Sequence, residues 1–180
     1  MAERPYVAGT NPANERPRMI PGTYSLNSIG TVDVSQGATT LQIDDEFRAG
    51  LSELSGYSYA WLVWWCHELD SAQARSLVTC EQPYRDSPAE VGVFATRSPA
   101  RPNPIAMTPV RVLAVDAEQG TVTIPYVDAD PGSPILDIKP YVPSIDRIRD
   151  VDVPAWAASW PEWYEDSASF DWSTVFVNAQ

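Results

Sequence analysis

One stretch, residues 57–67 (YSYAWLVWWCH), limits most of what this chain can fold into. Its residues are aromatic, branched or small, and neither face of a strand drawn through it is polar. Such a strand must be covered on both sides, so it belongs in the centre of a sheet. Short β-prone runs surround it at 24–34, 39–43, 77–82, 105–115 and 121–127. A further strand is expected to begin at Gly92 with Val93 and Phe94. Turns are expected at 35–37 and 116–120, a polar loop at 84–90 and a turn-rich loop at 128–134. Residues 71–74 read as a loop or short turn, 135–141 as compact and mixed, and 143–149 as leading out of the core. One early helix is expected over 44–54, with Asp44, Asp45 and Glu46 in its first turn and Phe47, Leu51 and Leu54 on one face. Ser55-Gly56 ends it. This order predicts a mainly β domain, an antiparallel β-barrel or curled sheet with one short early helix, rather than βαβ units.

The second constraint is the loop at 92–104. Pro99, Pro102 and Pro104 fix φ and remove backbone donors, and each holds the residue before it extended. Between them stand Arg97, Ser98, Arg101 and Asn103. Two guanidiniums on so stiff a frame suit the presentation of donors to a ligand. They could grip a zwitterion, Arg on its carboxylate and Asp or carbonyl oxygens on its ammonium.

A chain of 180 residues predicts one domain over 23–149, preceded by a flexible arm at 1–22 and followed by an extension at 150–180. The net charge is −12, and 150–180 carries six acids and no base. No basic surface of the kind that tracks a phosphate backbone is evident, and an acidic face that aids solubility is the simpler reading. Trp156, Trp160 and Trp163 are spaced for one face of a helix, which would pack on the body or on a second subunit. No run of roughly 18 apolar residues is present, and the N-terminus lacks the apolar middle of a signal peptide; both point to the cytoplasm. Cys66 and Cys80 are expected to be free thiols.

His67 is the only histidine, a polar strand-end residue or a base, and it has no partners at metal-ligand spacing. Lys139 is the only lysine, within reach of Asp137 or Asp146. No Gly-x-Ser-x-Gly elbow and no Gly-rich strand-to-helix turn occurs.

Three collinear blocks then carry a resemblance. GVFATRSPARPNPI at 92–105 resembles the signature of the TsaA/TrmO-like (VirR-like) family. GYSYAWLVWWCH at 56–67 is similar to that family's aromatic strand, and PGSPILDIKPYVP at 131–143 to its third block. The resemblance spans roughly 24–148. Ser58-Tyr59 stands where the family has Ser-His, Ile105-Ala106-Met107-Thr108 departs from its usual run, and Pro131 occupies an Asp position with Asp130 one place earlier. The tail does not resemble the C-terminal domain of longer members.

The resemblance implies a small β-barrel, S-adenosylmethionine as cofactor, and a homodimer with its sites near the interface. It also implies methyl transfer to N6 of threonylcarbamoyladenosine in tRNA; a small-molecule acceptor, or cofactor binding without turnover, are the alternatives. Carried over by position, Arg97, Ser98, Arg101 and Asn103 form the cofactor-facing loop, with Cys66, His67, Phe94, Met107, Tyr126, Val127, Asp128 and Asp137 around the pocket. His67, Asp128 and Tyr141 are the candidate general bases. No metal is implied.

Overall fold

In the computed structural model, residues 22, 24–35 and 39–177 are described. The arm expected at 1–22 and most of the turn expected at 35–37 lie outside them, apart from Gly22 and Ser35. The body is a seven-stranded antiparallel sheet in the order β6-β3-β9-β1-β2-β8-β7, beside a separate pair β4-β5. The strands are β1 Gly30–Asp33, β2 Thr39–Ile43, β3 Tyr59–Trp65, β4 Thr79–Glu81, β5 Glu90–Gly92, β6 Ile105–Arg111, β7 Ala114–Asp116, β8 Thr121–Ile124 and β9 Pro134–Pro140.

The aromatic stretch is β3, and it pairs along its length with β6 on one side and β9 on the other. Ala60, Leu62 and Trp64 point inward, where they join Val32, Leu41, Ile43, Val110, Val122, Ile124 and Ile135 in one core. The outward residues Tyr59, Trp61, Val63 and Trp65 are only half covered. Trp61 meets Tyr141 at 6.2 Å between ring centres. Trp65 donates from Nε1 to Asp70 at 3.0 Å while the Arg75 guanidinium lies over its ring at 5.1 Å.

The long strand expected over 105–115 breaks at Val112 and Leu113. Its halves, β6 and β7, lie at opposite edges of the sheet. The break explains how. Val112 N–H donates to Ser58 O at 2.9 Å, and Leu113 N–H donates to Thr123 O, also at 2.9 Å. Neighbouring residues thus bond to strands at opposite ends of the sheet order, which curls the sheet until its edges share one bent run of chain. Cys66 N–H donates to Pro104 O, so the even-numbered residues of β6 turn their backbone groups toward β3. Ile105, Met107, Pro109 and Arg111 turn theirs to the open side. Pro109, which has no N–H, therefore falls where none is needed.

Several expectations need correction. The segment expected as an early helix is a 3₁₀ turn, Asp45–Leu51, followed by a second at Leu54–Gly56. The buried side chains Leu51 and Leu54 end the first turn and begin the second. Gly50 weakens an α-helix there, and Glu53 takes a left-handed φ of 65° that ends it. Val93–Ala95 is a 3₁₀ turn rather than a strand, because the pairing with β4 ends at Gly92. Residues 24–29 are irregular, so the first strand is confined to β1. The mixed stretch at 135–141 is the strand β9, with a bulge opposite Val63/Trp64.

The tail forms no tryptophan-faced helix. It is a run of short 3₁₀ turns, Ala155–Ala157, Tyr164–Ser169 and Trp172–Thr174. Trp156, Trp160 and Phe176 gather on Tyr84 at 5.1, 4.9 and 5.6 Å. Trp163 stays outside that cluster, 55% exposed.

Candidate functional site

The proline-rich loop is held from within by Arg101. Its Nε donates to Ser98 O at 2.7 Å, and one terminal nitrogen donates to Val93 O at 3.1 Å and Thr96 O at 2.6 Å. Thr96, itself buried, adds a bond from Oγ1 to Val93 O at 2.9 Å and accepts from Ser98 N–H at 3.2 Å. The two arginines thus have different jobs. Arg101 folds the loop. Arg97 lies exposed, with one guanidinium nitrogen on Met107 O at 2.9 Å and the rest of its fork facing outward.

Beneath the loop lies Tyr84, which the sequence pattern does not single out. Its hydroxyl faces the Arg97 backbone N–H. Burial pushes the Tyr84 phenol above its ordinary value, and the Arg97 N–H partly offsets this. The same ring carries the tail's tryptophans, so one side chain ties the extension to the loop.

A second wall is the end of β3. Cys66 is half-buried and passes into His67, whose Nδ1 is 3.3 Å from Ser133 Oγ and whose Nε2 is 3.3 Å from Glu68 Oε1. Ser133 is 1% exposed. It is placed by Gly132, whose φ of 82° few other residues adopt, and by bonds that stitch this turn to Val32. A third wall is the loop carrying Tyr126, Asp128 and Asp130. The Tyr126 phenol is pushed up first by burial, then by the neighbouring Asp128 charge.

The walls adjoin at the end of β3, where Cys66 N–H donates to Pro104 O at 2.8 Å and His67 meets Ser133. Burial is the main cause that lifts the Cys66 thiol, with Asp130 and Asp128 adding to the rise and Arg101 opposing it. The thiol is therefore neutral where a free cysteine begins to ionise, which gives a direct test. With Cys80→Ser removing the other thiol, alkylation of Cys66 is expected to lag behind a free cysteine at pH 8. It should approach that rate only above the ordinary thiol value of 9.0. Equal rates at pH 8 would mean that burial does not shield this sulfur.

The remaining predicted residues are distributed less tightly. Met107, Val63 and Asp137 lie side by side across β6, β3 and β9, on the outer face. The Asp137 carboxylate is taken by Lys139 at 2.6 Å. Val127 is only 4% exposed and packs in the core, so its side chain lines no pocket and only its backbone is available to a ligand. Phe94 and Tyr126 are 85% and 68% exposed, open apolar surface beside the site. Asn103 spends its carbonyl on Ile105 N–H at 2.7 Å. Tyr141 is out of place as a partner for His67 and Asp128. Its N–H bonds to Tyr59 O, at the far end of β3, roughly 20 Å from Trp65 at about 3.3 Å per residue. Sequence proximity to the third block hides that separation.

Among the described residues, no cluster of His, Cys, Asp or Glu is arranged to hold a metal, and no helix is long and apolar enough to cross a membrane. Both cysteines are free. A cleft of about 450 Å³ lies elsewhere, between the 3₁₀ segment at 45–56 and β9, and is lined mainly by apolar groups such as Phe47, Leu51 and Ile138.

The model of the family described as the tRNA-methyltransferase O N-terminal domain matches residues 30–147, well over half of the chain. The chain belongs to this family. The TrmO match covers all three walls of the site. Among curated proteins, a probable S-adenosyl-L-methionine-binding protein of Halobacterium salinarum is 43% identical over 57% of this chain and 75% of its own length. A tRNA (adenine(37)-N6)-methyltransferase of Mus musculus is 37% identical over 57% of this chain but only 23% of its own length. The crystal structure of TrmO from Pseudomonas aeruginosa superposes with a TM-score of 0.55 and 26% identity, covering 73% of this chain and 62% of that one. The chain therefore spans most of the archaeal relative but less than two thirds of the crystallised TrmO.

Proposed function

We propose that this chain is a cytoplasmic S-adenosylmethionine-dependent methyltransferase that acts on N6 of threonylcarbamoyladenosine in tRNA. Membership of the TrmO family supports the methyltransferase class. The observation that carries the reading is the way the Arg101-folded loop and the Gly132-Ser133 turn both join the Cys66-His67 end of β3.

The donor set fits the cofactor. Asp128 and Asp130 suit an ammonium, Arg97 suits a carboxylate, and the uncovered rings of Phe94 and Tyr126 suit flat or apolar parts. When bound, the cofactor supplies an electrophilic methyl group on a sulfonium. The sulfonium charge disappears in the transition state, so tight pairing of that charge would slow transfer. Methyl transfer is an in-line displacement in which positioning dominates, and a stiff loop provides it.

Among the candidate bases, His67 has Nδ1 3.3 Å from the buried Ser133 hydroxyl, and we read it as a positioning residue. Asp128 then remains as our candidate to take the acceptor's proton. We read the exposed Phe94 and Met107 as part of a homodimer contact near the site.

Two features favour a second acceptor class, a small molecule: the net charge of −12 and the departures at Ile105-Ala106-Met107-Thr108. Purified protein with methyl-labelled cofactor is to be offered threonylcarbamoylated tRNA, unmodified tRNA and a small-molecule panel. Label is expected only in the first. Cofactor binding with no label in that tRNA would overturn the acceptor assignment, and label in a small molecule would replace it.

A further inference from the structure

The described Arg and Lys side chains divide into three sets. Arg48, Arg75 and Lys139 pair with Asp45, Asp70 and Asp137. Arg85, Arg97 and Arg101 spend nitrogens on carbonyls. Among the described residues, the side chains of Arg111, Arg147 and Arg149 have neither kind of partner. In a chain with 24 acids and 12 bases, unpaired guanidiniums gathered in one region need a reason.

All three lie at one end of the β6-β3-β9 strip. Arg111 is opposite Tyr59 in register, and Tyr141 N–H bonds to Tyr59 O just before the chain turns toward 147–149. The tail returns to the same place. Tyr164 sets its edge against Tyr59 at 6.2 Å and 90°. Trp163 beside it, 55% exposed, lines a cleft of about 270 Å³ with Arg147, Ile148, Arg149 and Asp150. An indole uncovered next to two free guanidiniums is a surface made for a nucleic-acid strand, with a base stacked on the ring and the flanking phosphates on the arginines.

We propose that this cleft is a distal RNA-binding platform that takes a single-stranded or loop segment of the acceptor tRNA, with Trp163 stacking on a base and Arg147 and Arg149 on phosphates. It lies at the end of β3 remote from Cys66, so it fixes the register of the RNA rather than touching the reacting base. The proposal rests on the tRNA reading of the acceptor. It also explains what the acidic extension contributes, since the one tryptophan there outside the Tyr84 cluster completes the platform. Asp150 is the acid that lines the cleft, and it works against binding.

The test is fluorescence anisotropy of a labelled anticodon stem-loop RNA against the full chain, between 50 and 200 mM salt. The double variant Arg147→Gln/Arg149→Gln should bind more weakly and lower the steepness of the log–log salt plot by about 1.4, some 0.7 for each phosphate lost. Trp163→Ala should weaken binding by about tenfold at every salt concentration. Asp150→Asn should strengthen it several-fold, an effect that a folding defect cannot imitate; Asn tolerates the left-handed φ of 53° at that position. Cofactor titration of each variant reports on the fold. If the wild type binds the RNA and all three variants bind it equally well, the platform is wrong and the tRNA reading stands. If the wild type binds cofactor but no RNA, the tRNA reading falls and takes the platform with it.

Discussion

Arg101→Ala is expected to lower affinity for S-adenosylmethionine by about 100-fold while the β-sheet stays folded. The guanidinium holds Val93, Thr96 and Ser98 by their carbonyls at 3.1, 2.6 and 2.7 Å. Each such charge-assisted bond contributes roughly 1.5–3 kcal/mol when shielded. The residue is only half-buried, so about 3 kcal/mol for the set is a fair discount, and each 1.4 kcal/mol is a factor of ten. Arg101→Lys should recover part of the loss, because a single ammonium cannot span three carbonyls. Arg97→Ala should also weaken binding, for a different reason: it removes a ligand-facing fork and leaves the loop intact. Amide exchange across 93–103 separates the two, rising in the Arg101 variant alone. Calorimetry showing unchanged affinity for Arg101→Ala would mean that the loop's shape does not matter to the ligand.

The second large effect is on the fold. Gly30 pairs with Ile43 of β2 and Ile135 of β9. A Cβ built there would lie 2.1 Å from Gln42 O and 2.9 Å from the Ile43 Cα, both backbone atoms of a central strand. No rotamer change can make room, so β1 must separate from β2. Gly30→Ala is expected to cost about 3 kcal/mol, which for a domain of this size lowers the melting midpoint by about 6–12 °C. Gly92→Ala is the control, since nothing lies within 4 Å of the added atom. Equal melting of the two variants would refute the close approach at Gly30.

The sheet was legible where burial is two-sided. The run through Leu62 and Trp64 has no polar face, and β3 lies between two strands as that demands. β9 was hidden because Pro134 and Pro140 bound it, Asp137 and Lys139 interrupt it, and a bulge breaks its alternation. The 3₁₀ segment misled because acids followed by Phe47 and Leu51 suit either helix type, and the choice fell to packing. For the site, Cys66, Arg101 and Asp128 carry chemical types that the resemblance could mark. Ser133 and Tyr84 were silent because their roles come from distant contacts, with His67 in one case and with the Arg97 backbone and the tail in the other.

The open side of β6 has one more consequence. An unpaired strand edge is a template on which another molecule can lay a strand and begin to aggregate. Here the template is already spoiled. Pro109 offers no donor, Arg97 covers the Met107 carbonyl, and Asn103 takes the Ile105 N–H. The loop proposed to shape the ligand site thus also blocks strand addition along this edge, and selection acting on either duty constrains the other.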